Sequence, residues 1–347
     1  MMKKMILFFA LAVFLNPSFS MADQQAAAVI KIATLDPRGS LNADLFEELK
    51  KETVAQTGNQ VKLKVYYGGV HGDAKNVLNK MKVNQIHGAM LAGYGLGQIV
   101  PEVQVTGLPY IFKNYDEVQY VRDKLQDHME QAFEKEGYII LGWYDIGFVY
   151  SFTKVPVTSL EIARQQKYWA PEGDPLAQAV YRSIGIAPIS LSLTDVLTSL
   201  STRLIDAASA PPIAAVAFRW HTKFQYMTEY PSSNVLGGLV ITKPIWDTVS
   251  PENRKKVLAL TRAFCRKVQE GFRKQNEQSI EIMKESGISI VRIQNAEGYQ
   301  KFIDDTAQKS MAAMSGVMFS QELLDRMLGY LAEYRKANPG SRVERMD

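Results

Sequence analysis

Four histidines, one cysteine and a glycine-rich loop are the residues of this chain whose types could do chemistry. His71, His87, His128 and His221 lie far apart, with no ligand spacing and no cysteine to complete a zinc site. Cys265 falls in the helical pattern VLALTRAFCRKVQ and reads as a small buried hydrophobe; as the sole cysteine it excludes an internal disulfide. Neither a nucleophile elbow nor a phosphate-binding loop is present. Gly93-Tyr94-Gly95-Leu96-Gly97 follows a strand, but its third glycine comes one residue too early for a dinucleotide loop, and no acidic residue ends a following strand. It reads instead as a flexible turn lining a cleft. No catalytic residue, metal site or cofactor is assigned, and the chain is not read as an enzyme.

Aromatic residues form the more informative population. Tyr66, Tyr67, Tyr94, Trp143, Tyr144, Phe148, Tyr168, Trp169, Phe218 and Trp220 fall mostly at strand ends or in strand-to-helix turns. Ordinary turns are polar, and ligands of open α/β sheets bind at strand ends. The group therefore points to an aromatic-lined cleft.

The elements that must position these residues alternate along the chain. Residues 29–35 read as a strand, 42–56 as a helix, 61–67 (VKLKVYY) as a strand and 85–92 as another, with Asp73 capping the helix between the last two. The long amphipathic stretch 116–136 precedes a strand at 138–143, and residues 148–153 run extended toward Pro156. The rhythm resumes with strands at 167–170, 187–191, 205–209 and 235–242, then an almost unbroken helical pattern over 251–286. That last helix, about 50 Å long at roughly 1.5 Å per residue, is long enough to brace two lobes. The expected class is α/β: two lobes, each a mainly parallel sheet flanked by helices.

The chain has 347 residues and a net charge of +4; setting aside Lys3 and Lys4 leaves 38 basic residues against 36 acidic ones. The charges are intermixed, so a nucleic-acid partner is not expected. Two lysines, the apolar run MILFFALAVFL and the small residues Ser20 and Ala22 follow the pattern of a secretory signal peptide over 1–22. No cysteine lies near the cleavage site, which argues against a lipid anchor. The expected divisions are 23–150 plus about 232–270 for the first lobe, 151–231 plus about 271–336 for the second, and a flexible tail over 337–347.

Several segments, in order, resemble the solute-binding subunits of TRAP (tripartite ATP-independent periplasmic) transporters. They are Tyr66-Tyr67-Gly68-Gly69-Val70-His71-Gly72-Asp73, His87-Gly88-Ala89-Met90, Leu108-Pro109-Tyr110-Ile111-Phe112, Lys167-Tyr168-Trp169-Ala170-Pro171 and Ser250-Pro251-Glu252. The resemblance spans about residues 30–290 and implies an exported two-lobed receptor that closes on a solute and delivers it to membrane permease subunits. It also leaves room for a repeat-containing periplasmic companion protein.

Where the family places an arginine fork for a carboxylate, this chain has Trp169; a second arginine position is Val149, the usual asparagine is Ala210, and a wall aromatic is Leu193. Each change removes polarity or bulk. Burying a carboxylate there without a partner would cost several kcal/mol (order of magnitude). The expected ligand is therefore hydrophobic or amphipathic, bound by Trp169, Val149, Leu193, Ala210, Tyr94, Tyr144, Phe148 and Asp36. Two alternatives stand beside it: an organic acid held by Arg164 or Arg182, and a scaffold or sensor protein that binds another protein.

Overall fold

The computed structural model describes residues 27–292, 295–340, 343 and 344. The leader expected at 1–22 lies outside them, as does most of the tail beyond 340. The first wing is a parallel sheet made by β1 (Ala28–Ala33), β2 (Val61–Tyr66) and β3 (Gly88–Ala92), with β1 in the middle. Its connections are α1 (Leu41–Gln56) and α2 (Ala74–Lys82). Ser40 and Asp73 cap them by accepting from the Ala43 and Asn76 amides, which satisfies donors a helix start leaves free. In β2 the apolar positions alternate with lysines, burying Val61, Leu63 and Val65 and leaving Lys62 and Lys64 in water. After β3 the glycine-rich segment forms a short helix, α3 (Gly93–Gly97), followed by α4 (Tyr115–Lys135).

β4 (Tyr138–Thr153) is one strand of 16 residues where the periodicity suggested two separate extended stretches. Bulges between Ile140 and Gly142 and between Asp145 and Gly147 let it bend without stopping. Its first part and centre pair with β9 (Ser233–Thr242), and its end pairs with β7 (Ala207–Ala210) and β8 (Tyr226–Thr228). β8 carries no strong sequence signal and owes its place to this neighbour.

The second wing also contains α5 (Leu160–Arg164), β5 (Trp169–Pro171), α6 (Pro175–Ser183), β6 (Ile189–Leu191), α7 (Val196–Ser201) and α8 (Pro212–Ala217). The chain then passes through β9, α9 (Lys243–Asp247), α10 (Pro251–Glu285), β10 (Ser289–Val291), α11 (Ala296–Met314) and α12 (Gln321–Ala337). β8 pairs parallel with β10, and β5 with β6. Pairs involving β4 or β9 are antiparallel, so the joined sheet is mixed. The architecture is α/β and two-lobed, with β4 and β9 as the crossing strands.

α10, 35 residues long, lies along β4. Gly142 makes the approach possible: a Cβ there would stand 2.7 Å from Cys265 Sγ. Gly147, at φ +144°, is similarly pressed by Asn276, whose amide donates to the Ile146 carbonyl and accepts from the Ile213 amide. Between these glycines Asp145 is fully buried, 3.1 Å from Arg122 and 3.5 Å from Arg273. α12 returns to pack on α4, where Arg335 grips the buried Glu117 carboxylate with two bonds of 2.8 Å.

Burial pushes the Cys265 thiol up to about 12. The thiol should therefore resist alkylation by iodoacetamide near neutral pH and react only after denaturation, as mass spectrometry would show. An unfolded thiol ionises near its ordinary value of 9.0 while the native one keeps its proton. In that window the native state binds more protons, so stability should decline as pH rises from about 9 toward 12. Rapid labelling of the folded protein at neutral pH would contradict this packing.

Candidate functional site

A cavity of about 1220 Å³ lies between the carboxyl ends of β1 and β3 on one side and β4, β5, β7, α6 and α11 on the other. Strand alternation decides which side chains of β4 reach it. Val149 and Ser151 line the wall, and their neighbours Phe148 and Tyr150 point to the opposite face, into the core. Ala210, at the end of β7, lies opposite Tyr150 and also borders the cavity. Leu193 follows β6 in a short helical turn, Asp36 follows β1, and Tyr94 sits on α3; all three line the wall.

Trp169, the first residue of β5, is 5% exposed. Its indole N–H donates to the Leu191 carbonyl at 3.0 Å, and its ring meets Trp220 edge to face at 5.2 Å. Trp220 in turn stacks on Phe218 at 5.6 Å. The indole is thus fixed by its neighbours with its donor already engaged, and what it offers the cavity is apolar surface.

Six of the eight expected contact residues therefore meet around one space. Tyr144 and Phe148 do not line it. Tyr144 is 2% exposed, packs on Phe272 at 5.9 Å and places its hydroxyl 3.4 Å from the Leu91 carbonyl. Phe148 stands edge-on to Tyr115 at 4.8 Å. Both side chains sit on core-facing positions of β4, a phase that the bulge between Asp145 and Gly147 makes hard to count through from sequence.

The charges are distributed unevenly. Asp36 accepts from Thr34 Oγ1 at 2.6 Å and from Asn42 Nδ2 at 2.9 Å, so neutral donors hold it in place. Arg164 reaches the wall but is exposed, and its Nε donates to the Ile184 carbonyl at 2.8 Å. Arg182 does not line the cavity; it is bonded to Gln178 at 3.1 Å. Lys301 and Lys309 border the space from the exposed face of α11. His71 also lines the wall, and burial followed by the neighbouring Lys80 charge pushes its pKa down, favouring the neutral ring. Among the described residues, no lysine or arginine of the wall is buried.

Sequence reasoning missed part of the wall. Tyr110, Tyr181, Tyr230, Tyr299 and Phe302 all border the cavity, with Tyr230 and Tyr299 at 5.3 Å and Tyr110 and Phe302 at 5.9 Å. The signal for Ser151 was available, because it shares the phase of Val149 on β4. Nothing in the linear pattern ties α11 to a strand end nearly 150 residues earlier.

The model of DctP, bacterial extracellular solute-binding protein family 7, matches residues 32–313. The chain belongs to that family. Its fold is similar to a TRAP periplasmic solute-binding protein from Citrobacter koseri with bound D-glucuronate (TM-score 0.78, 23% identity, 86% of this chain and 98% of that one). It is similar also to one from Desulfovibrio salexigens with bound orotic acid (TM-score 0.81, 15% identity, 88% and 99%). In sequence it is 23% identical over 257 residues to the 2,3-diketo-L-gulonate-binding periplasmic protein YiaO of Escherichia coli, covering 72% of this chain and 75% of that protein. The chain is a TRAP-type solute receptor and not an enzyme.

For such a receptor the mouth of the cavity is where opposite walls meet. Lys75 on α2 lies 3.5 Å from Glu172 beyond β5, Tyr94 closes on Gly173, and Leu176 on Gly107. The ion pair is exposed, so its contribution is of the order of 0.2–1 kcal/mol. Lys75→Glu should lower the closed-to-open ratio by a factor of roughly 1.4 to 5, and the exchange Lys75→Glu with Glu172→Lys should restore it. Fluorescence energy transfer between dyes on the two walls measures this. Equal behaviour of the single and exchanged variants would show that the pair does not couple the walls.

Proposed function

We propose that this receptor carries a hydrophobic or amphipathic solute to the permease subunits of a TRAP transporter in the periplasm, exported by a leader over residues 1–22. The carrying observation is the wall itself: Trp169, Val149, Leu193 and Ala210 meet at one cavity with no buried lysine or arginine among its described residues. A carboxylate buried there would lose its water without gaining a guanidinium, at a cost of several kcal/mol (order of magnitude). An apolar body would instead gain about 25 cal/mol for each Å² removed from water.

In this reading the lobes are residues 23–150 with about 232–270, and 151–231 with about 271–336, closing about β4, β9 and α10. Bulges and glycines give β4 places to bend, while α10 keeps the wings from parting. The acids named for the similar proteins belong to those proteins. An acid here would call for Arg164 to leave the Ile184 carbonyl and turn inward, or for Arg182 to enter from outside the wall.

Native mass spectrometry before and after denaturing extraction tests the proposal. The expected result is a co-purified neutral or weakly polar molecule, with thermal stabilisation of the stripped protein on its return and none from D-glucuronate, orotate or small dicarboxylates. Trp169→Ala should weaken rebinding by roughly 10- to 150-fold, the equivalent of about 1.5–3 kcal/mol of lost apolar burial. Stabilisation by a small carboxylate that vanishes with Arg164→Ala or Arg182→Ala would replace this reading by the organic-acid one. Tight capture of a protein partner with no small ligand would make the chain a scaffold.

A further inference from the structure

Strand register places three hydroxyls side by side in the inner part of the cavity. Ser151 on β4 lies opposite Ser209 on β7. On its other side it adjoins Thr228 of β8, whose Oγ1 accepts the Ser151 amide at 3.0 Å. Residues opposite one another on paired strands share a face, and all three line the cavity. Tyr181, from α6, covers the row with its hydroxyl 3.0 Å from Ser209 Oγ, and Tyr168 lies against Tyr181 at 5.1 Å.

The row is polar, enclosed and incompletely satisfied. Ser151 Oγ is buried beside the Tyr168 hydroxyl, without a hydrogen bond of ordinary geometry. A buried donor without a partner costs free energy that an incoming oxygen can recover. The cations of the wall, Arg164, Lys301 and Lys309, are all exposed, so no buried cation meets a negative charge here. Hydroxyls can both donate and accept, which suits an alcohol or a carbonyl.

We propose that Ser209, Ser151 and Thr228, roofed by Tyr168 and Tyr181, form a subsite for an uncharged oxygen-bearing group, a hydroxyl or carbonyl, at one end of an otherwise apolar solute. This deepens the amphipathic-solute reading above and rests on it. The solute enters with that oxygen leading, and its apolar body lies against Trp169, Val149 and Leu193.

Competition binding to the stripped full-length receptor tests both levels, with N-phenyl-1-naphthylamine as an apolar fluorescent reporter and 1-octanol, octanoate and D-glucuronate as probes. Octanol should bind at least about tenfold tighter than octanoate near pH 8, and the gap should narrow toward about pH 5 as the acid becomes neutral. Ser151→Ala combined with Ser209→Ala should weaken octanol by about 5- to 20-fold and leave the reporter within about twofold. Tyr181→Phe, which keeps the ring, should cost octanol about 2- to 10-fold. Full octanol affinity in both folded variants with the reporter still bound would overturn the subsite and leave the apolar cavity standing. Octanoate matching octanol near pH 8 would overturn its neutrality. Binding of D-glucuronate with no binding of the reporter would sink the amphipathic reading, and the subsite with it.

Discussion

A charge withdrawn from water needs an opposite charge, and Asp145 shows how demanding that requirement is inside this molecule. Its carboxylate is fully buried within 3.1 Å of Arg122 and 3.5 Å of Arg273, yet burial still outweighs both guanidiniums and pushes its pKa up. Glu117, equally buried, is satisfied by a two-pronged bond from Arg335 and by the Lys113 amide. Three arginines thus serve the protein's own carboxylates. Among its described residues the cavity wall has no buried lysine or arginine.

These ion pairs also locate the mechanics. Asp145 sits at a bulge of β4, within the stretch that pairs with β9 and ahead of the end that pairs with β7 and β8. Arg122 ties it to α4 and Arg273 to α10, while Asn276 of α10 holds the backbone at Ile146. At the mouth, Tyr94 and Gly173 face one another.

Much of this fold was legible in the sequence because its determinants are local. The alternation in β2, the caps Ser40 and Asp73 and the helical period of α10 each depend on a few neighbouring residues. The candidate site was legible where one residue type replaced another at a recognisable position, as at Trp169. It was obscure where position depends on register. Tyr144 and Phe148 lie on opposite faces of a bulged strand, each packed into a core, and a single inserted residue reverses which face a side chain takes. Ser151, Ser209 and Thr228 come from three strands whose adjacency no linear spacing announces.

The contrast between a shared fold and a private wall follows from this division. Layers, caps and crossing strands tolerate wide substitution, so proteins 15–23% identical to this chain keep the same architecture around D-glucuronate or orotic acid. The wall is set by a few side chains on that frame, Trp169 among them. Trp169 is clamped by the Leu191 carbonyl and by Trp220, so its apolar face is part of a packed assembly and not a side chain waiting to swing aside. Replacing the indole would remove one of the two donors to the Leu191 carbonyl, the Glu172 amide being the other, and would take from Trp220 its edge-to-face neighbour.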